Sequence, residues 1–520
     1  MKKLVTSLFF AVLLICTSFV SGKNYLIQSG AAGAATWTKT ISENDSVVDL
    51  TVAGKTITAW LAGRASWAAG DQIWILVGEY SFTSYYNIGS SPSLATSYPS
   101  AIYGGFAGNE NAIADRQKRN NAWDYTHETI LNGSTSTNGI FGAGGDRTMI
   151  IDGLTFTGCI NTAGQAVWQR PNMTIRNCKF TNNACVSLRY YISAASKTAS
   201  VSNCYFSNNT NTVTGGAEGG CIMANNSSAG GTYTITDCVF ESNSCTASGS
   251  GASAGVKAQG VGNVEINKCV FRNNNATAGS SSAVSLTSAT STIKNSLIYG
   301  TSVATNKVAV YVSAGSVINC TVVNNLGGGA YLSNAASSTI SLINNVFWGE
   351  DVKSGQISAV ANCLGNITNC AYNSLSANFI GNIVNTVDIT TTTTGLFTDP
   401  ANNLWTLASG SVLIDMGTAT NAPATDLTGV SRPYGSGVDI GAYEFLVSAN
   451  SQLRAQKKAF IQYGNKLVAE ASGKAYVYDV YGKLRISKIV QTGDEIVLES
   501  GVYFITLNTS EDRIAQKIML

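Results

Sequence analysis

Ile175-Arg176-Asn177-Cys178-Lys179-Phe180 is one copy of a phrase that returns at 201–206, 235–240, 266–271, 293–298, 317–322, 342–347 and 367–372, with a looser first copy at 150–156. Measured at the Cys position, through Leu154, Cys178, Cys204, Cys238, Cys269, Ser296, Cys320, Asn345 and Cys370, the steps are 24, 26, 34, 31, 27, 24, 25 and 25 residues. A period in that window marks stacked repeats, each burying its apolar face on the next. Within the phrase Ile175 and Arg176 alternate in and out as in a strand, and so do Cys178, Lys179 and Phe180, but the alternation slips by one at Asn177. Such a slip is a corner. Asn tolerates the left-handed backbone region, so Asn177, Asn203, Asn295, Asn319, Asn344 and Asn369 suit a sharp bend between two short strands, with Asp237 and Lys268 in the same column. Each repeat is then one coil of a parallel β-helix, with like residues about 4.8 Å apart along the axis. Helical solenoids are excluded: no repeat carries an i, i+3, i+4, i+7 apolar stripe, and the segments are rich in Val, Ile, Thr, Ser, Asn and Gly.

Working outward, Cys178, Cys204, Cys238, Cys269, Cys320 and Cys370 share one inward column, where Cys packs as a small apolar residue. Aligned Cβ vectors supply the torsion near 90° of a disulfide poorly, so these thiols are expected to be reduced. Cys185 and Cys245, each seven residues after a column Cys, are candidates for a second short column or an occasional bridge. The spacings match no zinc site, no Gly-Gly-x-Gly-x-Asp calcium repeat occurs, and neither a metal nor a cofactor is implied.

The chain opens with Lys2 and Lys3, runs apolar over 4–20 and offers small residues before Lys23, which reads as a secretory signal peptide over 1–22. Leu14-Ile15 before Cys16 lacks the small residue that lipoprotein processing prefers, and no later stretch is long and apolar enough to span a bilayer. The full chain carries 32 basic and 30 acidic residues, and only 12% are charged. With Lys2 and Lys3 removed the balance is even, which argues against nucleic acid or an anionic membrane as partner.

Residues 23–147 have another texture and hold five of the eight tryptophans, Trp37, Trp60, Trp67, Trp74 and Trp123. A β-helix exposes a raw strand edge at each end, so irregular first coils with an aromatic cap are expected here. The wording is specific: 69–75 (Ala-Gly-Asp-Gln-Ile-Trp-Ile), 101–110 (Ala-Ile-Tyr-Gly-Gly-Phe-Ala-Gly-Asn-Glu), Arg116, 129–133 (Thr-Ile-Leu-Asn-Gly) and Ile151-Asp152-Gly153. It resembles the opening of bacterial surface and secreted right-handed β-helix proteins of the polymorphic outer-membrane-protein type. The repeats proper run over 148–394. Excess length in the two longest coils falls in Gly/Ser stretches at 215–220, 227–231 and 248–255, expected as surface loops.

Beyond 394 the repeat stops. Residues 395–446 resemble the closing region that follows β-helix repeats in many bacterial secreted proteins with C-terminal sorting signals, and Asp426, Arg432, Asp439 and Glu444 are expected to form an ion-pair cluster sealing the last coil. A polar, basic linker at 447–458 leads to a small all-β module at 459–520, with strands expected around 475–480, 495–498 and 501–507. Its Tyr478-Asp479-Val480-Tyr481-Gly482-Lys483 turn and Gly501-Val502-Tyr503 strand resemble the C-terminal sorting domain of the type IX secretion system. The Tyr-Pro-Asn-Pro opening common in that family is absent, with Gln462-Tyr463-Gly464-Asn465 near its place. The resemblance implies a short β-sandwich, export by the type IX machinery and delivery to the medium or the outer-membrane surface of a Gram-negative bacterium.

Parallel β-helices host pectin and alginate lyases and polygalacturonase-like glycosidases, so a polysaccharide lyase or glycoside hydrolase is the alternative to a binding protein. Glycoside hydrolysis needs two carboxylates about 5–10 Å apart. Over 148–395 the acids are Asp152, Glu218, Asp237, Glu241, Glu265, Glu350, Asp351 and Asp388, with no paired pattern, and Glu241 aligns one coil from Arg272 as a surface ion pair. Arg170 and Arg189 offer a lyase base but have no acids nearby to hold calcium, and the one histidine, His127, precedes the repeats and is expected as a cap residue. The reading favoured is adhesion or binding of a glycan or another cell-surface ligand. Trp168, Arg170, Arg189, Tyr190 and Tyr191 form the candidate patch, because aromatic faces beside basic donors suit sugar recognition.

Overall fold

The computed structural model describes residues 22–446 and 460–519, apart from 30–33, 51–55, 65, 83–84, 89–97, 134–138, 144–145, 147, 161–163, 193–196, 213–218, 227–229, 248–250, 261, 278–279, 302–306, 335–339, 350–355, 393–394, 464–465, 470, 480–482, 500 and 509–512. The expected leader as far as residue 21, the expected linker, and parts of the three Gly/Ser loops lie outside the described residues. The chain divides into two units, Met1–Phe445 and Leu446–Leu520.

The first unit is a parallel β-helix. Each coil of the repeat contributes one strand to each of three stacks. Met173–Arg176 pairs in parallel with Met149–Asp152 on one side and with Thr198–Ser202 on the other, and this stack continues to Asn382–Val384. After the bend, Lys179–Thr181 lies in a second stack of 12 strands. Val186–Ile192 lies in a third, between Gln165–Gln169 and Ile222–Asn226. The first and third stacks are joined by two long strands, Ser281–Lys294 and Val308–Ile318, which run through both. Stacking begins before the repeat is legible in the sequence. Asp45–Asp49, Asn24–Gln28, Gln72–Leu76 and Ala101–Phe106 precede Met149–Asp152 in the first stack, in that spatial order.

Three ladders hold the coils in register. Phe156, Phe180, Phe206, Phe240 and Phe271 stack face to face at 4.9, 4.7, 4.8 and 4.6 Å. The expected bend column, Asn177, Asn203, Asp237, Lys268, Asn295, Asn319, Asn344 and Asn369, takes φ between 47° and 55°. A second left-handed column follows five residues later at Asn182, Asn208, Ser242 and Asn273. Beside it runs a buried amide ladder: Asn183 Nδ2 donates to Asn209 Oδ1 (3.0 Å), Asn209 to Asn243 (2.9 Å) and Asn243 to Asn274 (3.0 Å). The cysteine column is wholly buried, and no disulfide joins any two of the eleven described cysteines. Cys245 faces Asn211 and Ala276 in a small parallel sheet.

The N-terminal aromatics cluster as a cap in part. Helix Ile57–Ala62, N-capped by the Thr56 hydroxyl, brings Trp60 beside Tyr25 and Trp67. Trp123 is elsewhere: with the segment around 107–128 it lies along the flank of the coils, stacked on Tyr205 at 5.7 Å.

The ion-pair cluster is present but does not seal the last coil. Residues 416–445 turn back along the flank, laying backbone on the outward amides of the bend column: Asn369 Nδ2 donates to Met416 O, Asn344 to Thr418 O, Asn319 to Asp439 O and Asn295 to Thr425 O. Arg432 and Glu444, almost fully buried, therefore pair beside Asn295 and Asn319. The cause is visible in the second stack. Its outward positions include polar residues in early coils (Lys179, Thr181, Glu241, Arg272) but are apolar at Leu297, Tyr299, Val346 and Trp348 in later ones, and these are covered by Phe397, Trp405 and Leu413 ahead of the returning segment and by Ile440 within it.

The second unit is two antiparallel sheets on one core. Phe460–Tyr463, Lys466–Ala469 and Glu495–Val497 form one, and Leu484–Val490, Gly473–Asp479, Val502–Asn508 and Arg513–Met519 the other. Phe460, Leu467, Val477, Ile496, Ile505 and Leu507 fill the space between. No described helix is long and apolar enough to cross a membrane.

Candidate functional site

The third stack turns alternate residues outward. Along Gln165–Gln169 the outward residue near the strand end is Trp168, and on the next coil Arg189 stands directly beside it in register. Arg170 lays its guanidinium over the Trp168 ring, 4.3 Å from the centroid, and Arg189 and Tyr191 complete the group, with Arg189 at 6.0 Å from Trp168 and Arg170 at 6.0 Å from Tyr191. Four of the five expected residues are therefore one half-buried patch.

Tyr190 is not part of it. Alternation along Val186–Ile192 points Leu188 and Tyr190 inward, and the Tyr190 ring is wholly buried, stacked on Tyr233 at 3.9 Å. Tyr233 donates in turn to Gln169 Oε1 at 2.8 Å. Tyr190 is core.

Tyr85 joins the patch instead. Gly142 is the register neighbour of Trp168 on the preceding coil, and a Cβ there would collide with the Tyr85 hydroxyl, so glycine makes room for the tyrosine. Burial pushes the Tyr85 phenol up to about 12, partly offset by the nearby Arg170 charge. The sequence signal was available: a glycine in an outward strand position marks close approach by another group.

Three polar atoms here are buried without a hydrogen-bond partner: Trp168 Nε1, Arg189 Nε and the Tyr85 hydroxyl. Buried donors are normally satisfied, so three such atoms this close together are uncommon, and all three are shielded from solvent.

The acids of the coils are otherwise engaged. Asp152 accepts from Arg116 Nη2 (3.2 Å), Tyr125 OH (3.0 Å), Asn177 Nδ2 (3.1 Å) and Arg176 Nε (2.7 Å), and the cations hold its carboxyl below the ordinary range against the cost of burial. Glu241 pairs with Arg272 at 2.7 Å, in the expected register, and Glu265 with Lys294 at 2.9 Å. Asp237 stands in the bend column, its carboxyl raised by burial. Glu218, Glu350 and Asp351 lie outside the described residues. His127 borders a surface hollow with Glu110 and Asp115, whose carboxylates close local turns by accepting Ala107, Gly108, Asn111 and Ala112 N–H groups. Among the described residues no group of three or more His, Cys, Asp and Glu side chains is placed to hold a metal ion.

No family model matches the chain, and neither does any curated protein. Among solved structures a pectate lyase superposes with a TM-score of 0.43 at 15% identity, over 83% of this chain and 98% of that one. A likeness that distant carries nothing about activity.

Proposed function

We propose that the chain is an exported bacterial surface or extracellular protein that binds a glycan through the outer face of the third stack, at Tyr85, Trp168, Arg170, Arg189 and Tyr191. The observation that carries this is a half-buried tryptophan ring flanked by two guanidiniums, with Tyr191 beside them. A sugar presents an apolar C–H face to an aromatic ring while its hydroxyls accept from neighbouring N–H groups, which is the complement of this surface. The parallel sheets supply a rigid floor, since Trp168, Arg170, Arg189 and Tyr191 sit on or beside strands hydrogen-bonded on both sides.

Export rests on the apolar leader and the sorting-domain resemblance of 459–520. The C-terminal module would address the chain to the type IX machinery and leave the β-helix outside the cell. A polysaccharide lyase or glycoside hydrolase remains the other reading, but no pair of unengaged carboxylates favours it among the described residues.

The test is a glycan array on the purified protein and its Trp168→Ala variant, with reducing-sugar and unsaturated-uronate assays on every glycan retained. Binding lost in the variant at unchanged thermal stability, with no bond cleaved, is the expected result. Retention by the variant equal to that of the parent sinks the patch, and release of unsaturated products sinks the non-enzymatic reading. For export, secretion in a type IX-competent host is expected to stop when 459–520 is deleted.

A further inference from the structure

The corner between the first and second stacks carries a second, differently built surface. There the flanking segment passes Ile113, Arg116, Lys118 and Tyr125 over the coils of Asp152, Arg176 and Asn203, leaving a hollow of about 480 Å3. This lies within the span of ordinary small-molecule sites, roughly 300–1,000 Å3.

Its charge is unbalanced. Arg116, Lys118 and Arg176 line it against the single carboxylate of Asp152. Asp152 is spent on positioning: it grips Arg176 through Nε at 2.7 Å and Arg116 through Nη2 at 3.2 Å. Arg116 is consumed, since its Nε and Nη1 also donate to the Ile113 and Gly104 carbonyls at 2.8 Å each. Arg176 is not. Only its Nε is bonded, its side chain is 40% exposed, and its two terminal nitrogens carry no partner among the described residues. Lys118 holds its ammonium 4.9 Å from the Tyr125 ring centre with no carboxylate bonded to it among the described residues, and burial lowers its pKa. The Asn203 carboxamide, on the next coil, lines the same hollow with neither end bonded among the described residues. A guanidinium held through Nε by a buried carboxylate is pre-oriented, so its free fork meets an oxyanion at little further entropic cost.

We propose that this hollow binds the acid group of an acidic saccharide, a uronate carboxylate or a sulfate ester, between the Arg176 fork and the Lys118 ammonium, with sugar hydroxyls on the Asn203 amide. Two cations take the anion and one amide takes hydroxyls, a division that a neutral glycan does not use. The site is separate from the Trp168 patch and does not depend on it.

Equilibrium binding at low salt separates the cases, using an oligogalacturonate, a heparin-derived oligosaccharide, neutral cellohexaose and inorganic sulfate as probes. Expected results are retention of one or both acidic oligosaccharides, at least a tenfold weakening in Lys118→Gln and in Arg176→Gln, a further weakening in the double variant, and no change in Trp168→Ala. Beyond its contact with the Tyr125 ring, the Lys118 ammonium has no hydrogen-bonded or ion-paired partner among the described residues to lose, so Lys118→Gln stays informative even where Arg176→Gln destabilises the flanking segment. Which acidic probe binds more tightly assigns carboxylate or sulfate. Equal binding of cellohexaose, equal competition by inorganic sulfate, unchanged affinity in Lys118→Gln, or no acidic probe bound at low salt would each overturn the proposal. Loss of array binding in Trp168→Ala with the Lys118 effect intact shows the two sites to be independent.

Discussion

Asn243→Ala tests the buried amide ladder where its cost can be worked out atom by atom. The Asn243 side chain accepts from the Asn209 backbone N–H (3.0 Å) and Asn209 Nδ2 (2.9 Å), and donates to Phe206 O (2.9 Å) and Asn274 Oδ1 (3.0 Å). Two of these groups keep another partner after truncation: Asn209 Nδ2 still donates to Phe180 O, and Asn274 Oδ1 still accepts the residue-243 N–H. Phe206 C=O also keeps a partner, its ladder bond to the Glu241 N–H, so only the Asn209 N–H is stripped while wholly inside the coil. A buried polar group stripped of its partner costs about 1–3 kcal/mol, so the substitution is expected to cost about that much. All eight tryptophans precede residue 406, so urea unfolding followed by tryptophan fluorescence reports the β-helix unit and not the C-terminal module. Hydrogen exchange at the Asn209 amide gives the local counterpart. A loss below about 1 kcal/mol, with Asn209 still protected, would refute the claim that these amides are structural hydrogen bonds rather than incidental neighbours.

Further consequences follow from the bends, the thiols and the C-terminal segment. Asn208 is exposed, sits at φ 53° and makes no side-chain hydrogen bond among the described residues; Asn208→Ala is expected to cost about 1–2 kcal/mol and Asn208→Gly close to nothing, by the same unfolding assay. Burial pushes the thiols of Cys320 and Cys370 up to about 12 and those of Cys204, Cys238 and Cys269 well above the ordinary value, so a thiol reagent at pH 8 should label none of the eleven in the native protein and all in denaturant. Burial raises the Asp439 carboxyl to about 6, above its ordinary 3.8. Its contribution to stability is therefore complete below pH ~4 and lost as pH rises through ~6, and exchange of the Phe445 amide that it accepts, corrected for intrinsic rates, should quicken over that window.

The sequence carried the interior better than the flanks. The Cys, Phe and bend-Asn columns could be read because a stacked coil forces chemically similar residues into one column at a fixed period, and the slip at Asn177 is the left-handed residue the structure contains. The amide ladder was overlooked although Asn182-Asn183, Asn208-Asn209 and Asn273-Asn274 spell it out: the first Asn turns the chain and the second reaches inward. Adjacency in sequence does not give Tyr190 and Tyr191 a shared face, because strand alternation turns Tyr190 inward and Tyr191 outward. The return of 416–445 along the flank was hidden for a different reason. It has no period of its own, and its course is set by the outward apolar residues it covers, Leu297, Tyr299, Val346 and Trp348. Tyr85 was missed because its position depends on Gly142, well over one coil away.

Stacking of one coil on the next underlies both the ladders and the two candidate surfaces, and spin-label distances along one column measure it directly. Thr174, Ser200, Thr234, Glu265, Thr292, Ser316, Ser341 and Asn366 are successive register partners on the outer face of the first stack. At about 4.8 Å per coil, labels at Thr174→Cys and Thr292→Cys should lie about 19 Å apart, and at Thr174→Cys and Asn366→Cys about 34 Å, before allowance for linker length. A linear rise of that slope supports the account; distances that fail to grow with coil number would contradict it.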